Sequence, residues 1–230
     1  MMGRSDRSLR FKDSGAGRPG LRPARDHTLN GSAPDDASVA LVLIDVINTF
    51  SFPGGARLLE RFLPAARRIA ALKARARRSG IPTVYVNDNF GRWRSDLNGL
   101  VQRCLRAKTG AASVAKLLRP KRNDYFVLKP KHSGFFCTSL ELLLEHLGVH
   151  TLIVAGIATD VCVLSTATDA YMRDFELIVL SDCVEAMTEG EDQWALRHMS
   201  DALGATIAVS TSLPLPSLLK RAARKRRRHT

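Results

Sequence analysis

The stretch TLIVAGIATDVCV, residues 151–163, decides the fold of this 230-residue chain. It opens with an apolar run and continues through a glycine and a short polar turn to Cys162. A continuous apolar run without alternation is typical of a parallel strand that is buried on both faces. The residues that follow, from about Asp160 to Arg173, have the spacing of a helix. The stretch therefore predicts a buried strand over 151–155 whose carboxyl end leads to a thiol near the start of a helix.

Similar runs recur along the chain and alternate with helical patterns. The other runs are 39–44 (VALVLI), 83–87 (TVYVN), 125–129 (YFVLK) and 177–180 (LIVL), with a weaker sixth run at 206–209. The other helical patterns are Pro64–Ser79, Thr138–Leu147, in which Thr138 and Glu141 have capping-box spacing, and Glu189–Leu203. This alternation predicts an α/β fold, a three-layer architecture with an open parallel six-stranded sheet and helices on both faces.

The positive charge of the chain lies mostly at its two ends. The formal net charge is +13, but residues 1–30 carry seven basic and three acidic residues, and residues 220–230 carry seven basic residues alone. The part between them has a charge of only +2, so its composition indicates no particular partner. With 45% hydrophobic residues the chain can bury a core, which excludes a wholly disordered protein. We predict a flexible basic arm over 1–36, a folded domain over 37–213 and a basic C-terminal tail over 214–230.

The cysteine usage and the first residues of the chain bear on its location. Four cysteines, at 104, 137, 162 and 183, form neither a CxxC pair nor a zinc-finger spacing. The start of the sequence shows no apolar run of the signal-peptide kind, and no run approaches the roughly 18 apolar residues that span a bilayer. We therefore expect the protein in a reducing cytoplasm.

Chemically active side chains follow successive predicted strands. Asp45 follows the first, Asn87-Asp88-Asn89 ends the second, Lys129 ends the third and Cys162 follows the fourth. Ligands of open α/β sheets bind at the carboxyl ends of the strands, so an acid, an amine and a thiol are expected at one edge. A thiolate, a proton acceptor and the N–H groups of a strand-to-helix turn suffice for acyl transfer from an amide or ester. The alternative is structural: a cysteine that fills the core beside an ordinary ion pair.

From about residue 40 to residue 209 the chain resembles the isochorismatase-like cysteine hydrolases, which include nicotinamidase, N-carbamoylsarcosine amidohydrolase and ureidoacrylate amidohydrolase. The matching stretches are 43–50 (LIDVINTF), 129–135 (KPKHSGF) and 152–163 (LIVAGIATDVCV). The resemblance implies Cys162 as the nucleophile, Asp45 as the general base and Lys129 as the group that stabilises the thiolate. It also implies a cis peptide bond at Ile157-Ala158, with the N–H groups of Ala158 and Cys162 directed at the oxyanion.

The resemblance also narrows the substrate. Isochorismatases proper lack the nucleophilic cysteine, so Cys162 favours hydrolysis of a C–N bond. Nicotinamidases bind a metal through an Asp and two His after the second strand, whereas this chain has no His between His27 and His132. We therefore predict a metal-independent cysteine amidohydrolase without a cofactor, acting on a small amide, ureido or carbamoyl substrate through an acyl-enzyme on Cys162.

The remaining assignments concern the pocket, His132 and the partners. Phe50, Asn89 and Trp93 are candidates for the substrate-binding pocket, and a packing role is the alternative for the two aromatic residues. His132 lies three residues after Lys129 and could reach this edge of the sheet, but it is interpreted as a surface residue. Family members are commonly dimers or tetramers, so a homo-oligomer is expected. The alternative function is binding of nucleic acid or an acidic surface by the basic tails on an oligomeric α/β platform.

Overall fold

The computed structural model describes residues 37–94 and 96–226. Its sheet has six parallel strands in the order β3-β2-β1-β4-β5-β6. The strands are β1 (Val39–Ile44), β2 (Thr83–Asp88), β3 (Tyr125–Lys129), β4 (Thr151–Ile157), β5 (Glu176–Glu185) and β6 (Thr206–Ala208). The predicted α/β fold with an open parallel six-stranded sheet is confirmed.

Helices cover both faces of the sheet. They are α1 (Gly55–Arg78), α2 (Leu97–Arg106), α3 (Ala111–Leu117), α4 (Leu140–Leu147), α5 (Leu164–Tyr171), α6 (Glu189–Leu203) and α7 (Leu215–Arg226). Apolar residues of α1, α2, α3 and α7 form the core on one face, and those of α4, α5 and α6 form the core on the other. In the described part of the chain, no helix is long and apolar enough to cross a membrane.

The two central strands are buried along their whole length, as their continuous apolar sequences predict. Every residue of β1 and of β4 is buried. The two strands approach most closely at Gly156, where φ is +133° and an added Cβ would lie 2.0 Å from the carbonyl oxygen of Ile44. Position 156 of β4 therefore requires glycine, and it pairs with Ile44 of β1, the residue just before Asp45.

Helix α1 begins nine residues before the predicted start at Pro64. Leu58 and Phe62 are buried on the same side as Ile69, so the apolar pattern of the helix extends back to Gly55. Pro64 lies in the helix interior, on its exposed side. There the carbonyl group that a proline leaves without its helical donor can be hydrated, which makes this position tolerable for proline.

The predicted capping box of α4 is wrong, and another is found at α6. The Thr138 hydroxyl donates to the carbonyl of Gly134, and Glu141 accepts from Arg173 instead of reaching back to the helix start. At α6, the Thr188 hydroxyl accepts from the Glu191 N–H and the Glu191 carboxylate accepts from the Thr188 N–H. The spacing alone does not separate the two cases, because the basic partner of Glu141, Arg173, comes from the turn that follows α5.

The predicted tail over 214–230 is largely a helix that belongs to the domain. Leu215, Leu218 and Ala222 of α7 are buried in the core beside α1. Arg75 fixes the chain leading into this helix, since it donates to the carbonyls of Ser210 and Leu213. The folded domain therefore extends beyond residue 213, to residue 226. The predicted arm over 1–36 and the last four residues of the tail lie outside the described residues.

Candidate active site

Three side chains that the sequence predicts at one edge of the sheet are in direct contact. The Lys129 Nζ lies 2.8 Å from Oδ2 of Asp45 and 3.4 Å from Sγ of Cys162. Lys129 is fully buried and Asp45 is 4% exposed, whereas Cys162 is only partly buried. The acid and the amine therefore form the floor of the site, and the thiol lies between them and the solvent.

The position of Asp45 is fixed by the neighbouring strand. Asp45 has a φ of +52°, so the chain turns immediately after β1. Its N–H donates to the carbonyl of Val86 at 2.9 Å, and its Oδ1 accepts the N–H of Asp88 at 2.6 Å. The second carboxylate oxygen is left to face Lys129. The carboxylate is thus held on both sides by β2 and β3.

Cys162 is delivered by an irregular turn between β4 and α5. Residues Thr159–Val163 form one turn of π-helix, and the peptide bond between Ile157 and Ala158 is cis. The carbonyl of Ala158 accepts the N–H groups of Val161 and Val163. π-Helical turns occur frequently at functional sites, and this one places the thiol at the first turn of a helix, where backbone N–H groups are directed outward.

Burial and charge set the protonation of the site. Burial raises the pKa of the Asp45 carboxyl, although Lys129 acts in the opposite direction. Burial and the charge of Asp45 raise the pKa of the Cys162 thiol to about 12, against the lowering effect of Lys129. Burial acts to lower the pKa of Lys129, but the charges of Asp45, Cys162 and Asp88 outweigh it and raise that pKa. At neutral pH the site therefore holds an ammonium and a protonated thiol.

In this arrangement a proton can pass between Sγ of Cys162 and Asp45 while Lys129 keeps an anionic partner. When the proton lies on Sγ, the negative charge opposite Lys129 is on Asp45. When the proton moves to Asp45, the same charge is on Sγ, still 3.4 Å from the ammonium. Both states pair one buried anion with one buried cation, so neither leaves an uncompensated charge in a low dielectric. Asp45 is thus placed to remove the thiol proton as the sulfur attacks a substrate.

The loop after β3 closes the site from the solvent side. Its Lys131 carbonyl accepts a hydrogen bond from Lys129 Nζ at 3.1 Å. Nδ1 of the exposed His132 lies 3.7 Å from Sγ of Cys162. Ser133 is hydrogen-bonded to Asp169 of α5, which holds the loop against the helix that follows the nucleophile. His132 is exposed, in agreement with its interpretation as a surface residue, and it also reaches the edge of the site, which was the alternative.

The comparison with known proteins identifies the family of this chain. The family model for the isochorismatase domain matches residues 39–211, a range that includes Asp45, Lys129 and Cys162. The chain belongs to the isochorismatase family.

Several members of the isochorismatase family are similar over most of this chain. The chain is 35% identical over 177 residues to the uncharacterized isochorismatase family protein YaaI of Bacillus subtilis, covering 77% of this chain and 97% of YaaI. It is 30% identical over 211 residues to ureidoacrylate amidohydrolase RutB of Methylorubrum extorquens, covering 79% and 83%. Among solved structures, N-carbamoylsarcosine amidase from Thermoplasma acidophilum matches with a TM-score of 0.59 and 27% identity, covering 77% of this chain and 99% of that one.

Two of the three predicted pocket residues line a cavity on the rim of this isochorismatase fold. Asn89 and Trp93 border a space of about 250 Å³, which also has Arg92 and Cys137 on its wall. Trp93 is 80% exposed, so the aromatic ring is available to a ligand. Phe50 is placed differently: it is 2% exposed and its ring packs 6.4 Å from that of Phe62 in the core. Phe50 therefore has the packing role that was the alternative to a substrate contact, because its side chain belongs to the core between α1 and the sheet.

The residues after β2 do not fit a metal site of the kind that nicotinamidases carry. The amide of Asn87 donates to the carbonyl of Ile47, and Oδ1 of Asn89 accepts a backbone N–H two residues further on. The third side chain of this group, the Asp88 carboxylate, lies 3.7 Å from the Lys129 ammonium. The ammonium would compete with a metal cation for this carboxylate. Within residues 37–94 and 96–226, no three His, Cys, Asp or Glu side chains are grouped so that they could hold a metal ion.

Proposed function

We propose that this isochorismatase-family protein is a metal-independent cysteine amidohydrolase that cleaves a C–N bond of a small amide, ureido or carbamoyl compound. The observation that carries the proposal is the contact of Lys129 Nζ with both Asp45 and Cys162. The relatives support the reaction class, because a ureidoacrylate amidohydrolase and an N-carbamoylsarcosine amidase are among them. The end of β2 supports a reaction without a resident metal, because the Asp88 carboxylate lies 3.7 Å from the Lys129 ammonium and Oδ1 of Asn89 accepts a backbone N–H, although Oδ1 of Asn87 is buried without a hydrogen-bond partner.

The first half of the proposed reaction forms an acyl-enzyme. Sγ of Cys162 attacks the carbonyl carbon while its proton passes to Asp45, and Lys129 keeps its contact with the anion throughout. The N–H groups of Ala158 and Cys162 are proposed to stabilise the oxyanion at the start of the π-helical turn. The C–N bond then breaks, and Asp45 returns the proton to the departing amine. Hydrolysis of the thioester by water releases the acid and restores the thiol.

The proposal is tested by ammonia or amine release from a panel of small amides, ureido acids and carbamoyl compounds. We expect Cys162→Ala and Cys162→Ser to abolish release while the circular dichroism and unfolding midpoint remain close to the wild type. Cys104→Ala is the control, since it removes a free cysteine of α2 that lines neither the ion-paired site nor the cavity beside Trp93. Release by Cys162→Ala at the wild-type rate would show that the nucleophile lies elsewhere.

The cytoplasmic location, the homo-oligomer and the alternative role of the basic ends in nucleic-acid binding stay predictions. Helix α7 is relevant to nucleic-acid binding because it is anchored in the core and its basic side chains Lys220 and Arg224 are exposed. Residues 227–230 follow the last residue of that helix, Arg226, so they can be removed without shortening it. Measurement of DNA retention with and without these residues, at two salt concentrations, tests the contribution of the tail.

A further inference from the structure

His132 lies beside the reacting sulfur and, unlike the ion pair, is exposed to solvent. Its Nδ1 lies 3.7 Å from Sγ of Cys162, and the side chain is exposed. Lys129 and Asp45, by contrast, lie on the buried floor of the site. The first half of the reaction described above uses only the buried groups. The imidazole is thus a proton-transfer group in contact with the nucleophile that the acylation step leaves without a role.

The loop that carries His132 is held by specific contacts. The N–H of Gly134 donates to the Thr166 hydroxyl at 3.0 Å, and that hydroxyl donates to the carbonyl of Cys162 at 2.7 Å. An added Cβ on Gly134 would lie 2.8 Å from Val86, so the loop packs directly on the sheet. The same hydroxyl therefore joins the loop of His132 to the backbone of the nucleophile and fixes the distance between them.

We propose that His132 is the general base of deacylation, which rests on the function proposed above. In the acyl-enzyme the thioester carbon is bonded to Sγ, so a water molecule that approaches it from the solvent passes the imidazole. The ring nitrogen accepts a proton from this water as the new C–O bond forms. The C–S bond then breaks, its electron pair returns to Sγ, and the imidazolium gives the proton to the sulfur. The products are the carboxylic acid and the free thiol, and the imidazole is neutral again.

The position of the imidazole favours this step over acylation for two reasons. Asp45 is hydrogen-bonded to the N–H of Asp88 and paired with Lys129, on the side of Sγ away from bulk water. A water that reaches the thioester from the open side therefore meets His132 before it meets the carboxylate. The imidazole is also close enough to Sγ to return the proton directly, so one group serves both ends of the step.

The proposal is tested with p-nitrophenyl acetate, whose burst of p-nitrophenolate reports acylation and whose steady state reports deacylation. We expect His132→Ala to keep the burst amplitude and to lower the steady-state rate by about 100-fold. Because His132 is exposed, added imidazole should restore much of the lost rate. His198→Ala, which removes an exposed histidine on α6, is the matched control and should change neither phase.

The pH profile separates proton transfer from a structural role. The wild-type steady-state rate should fall toward acidic pH, because a protonated imidazole cannot accept the proton of the attacking water, and His132→Asn should lose this acidic limb. The other charged groups around the sulfur and this loop are Asp45, Asp88, Lys129, Lys131, Asp169 and Arg173, and both proteins retain them. A burst and steady state that fall together in His132→Ala, without rescue by imidazole, would overturn the assignment. Release of p-nitrophenolate at the wild-type rate by Cys162→Ala would instead overturn the proposed function itself.

Discussion

Replacement of Lys129 by methionine tests whether the site depends on a balanced pair of buried charges. Methionine keeps an unbranched side chain of similar length but removes the ammonium, which lies 2.8 Å from Asp45 with neither residue more than 4% exposed. Removal of one partner from a buried ion pair costs about 3–5 kcal/mol, because the other charge is left unpaired. We therefore expect Lys129→Met to lower the free energy of unfolding by about 3 kcal/mol or more near pH 8.

The loss of stability in Lys129→Met should depend on pH in a defined direction. The folded pKa of Asp45 is already raised by burial, and removal of Lys129 raises it further. A carboxyl whose folded pKa is raised contributes stability at low pH and loses it as the pH rises through the folded pKa. In the variant this loss continues to higher pH. The stability difference from the wild type should therefore grow from pH 5 to pH 8, by at most about 1.4 kcal/mol per pH unit.

Urea unfolding followed by circular dichroism measures both effects, with two control variants. Arg221→Met removes an exposed ion pair with Glu176 and should cost less than about 1 kcal/mol at every pH. Lys129→Met combined with Asp45→Asn removes both charges and should recover much of the lost stability, without the growth toward high pH. If Lys129→Met behaved like Arg221→Met, or its cost did not change with pH, the description of the site as a buried pair would be wrong.

Three further substitutions test the site and the fold. Asp45→Asn should lower the thiol pKa of Cys162 from about 12, so that iodoacetamide labels the thiol faster at pH 8. The same variant should slow amide hydrolysis by about 100-fold or more. If labelling and hydrolysis both became faster, or both became slower, the general-base role of Asp45 would be contradicted. Gly156→Ala should lower the unfolding midpoint severely, because the new Cβ meets the Ile44 carbonyl at 2.0 Å. Thr188→Ala should cost about 1 kcal/mol in urea unfolding and leave activity unchanged, and a larger effect would indicate a role beyond the helix cap.

The strands could be predicted where burial alone decides their sequence. β1 and β4 are buried on both faces, so their apolar runs match the observed bounds within two residues. β5 was predicted too short, over 177–180, because Ser181 and Asp182 interrupt its apolar run. Asp182 is accommodated because its carboxylate accepts the N–H and the hydroxyl of Ser210. Such a contact between distant segments leaves no periodic signal in the sequence.

The site could be predicted in part for the same reason. Asp45, Lys129 and Cys162 follow strands, so the order of elements already places them at one edge of the sheet. The location of His132 depends instead on how its loop folds back on α5. That fold is set by hydrogen bonds from the loop to residues more than thirty positions away, which include Thr166. Spacing along the chain gives no measure of such contacts.

The topology of the sheet explains why a lysine occupies the end of β3. β1 lies between β2 and β4, so Asp45 and Cys162 follow adjacent strands, but β3 is separated from β1 by β2. With strands about 4.8 Å apart, the cation must reach across roughly 10 Å of sheet, which requires a long side chain. At its end the ammonium has three donors, and it has three acceptors: Asp45 Oδ2 at 2.8 Å, the Lys131 carbonyl at 3.1 Å and Cys162 Sγ at 3.4 Å. A planar guanidinium would carry the same charge without converging on these three groups, so the site selects the geometry of lysine as well as its charge.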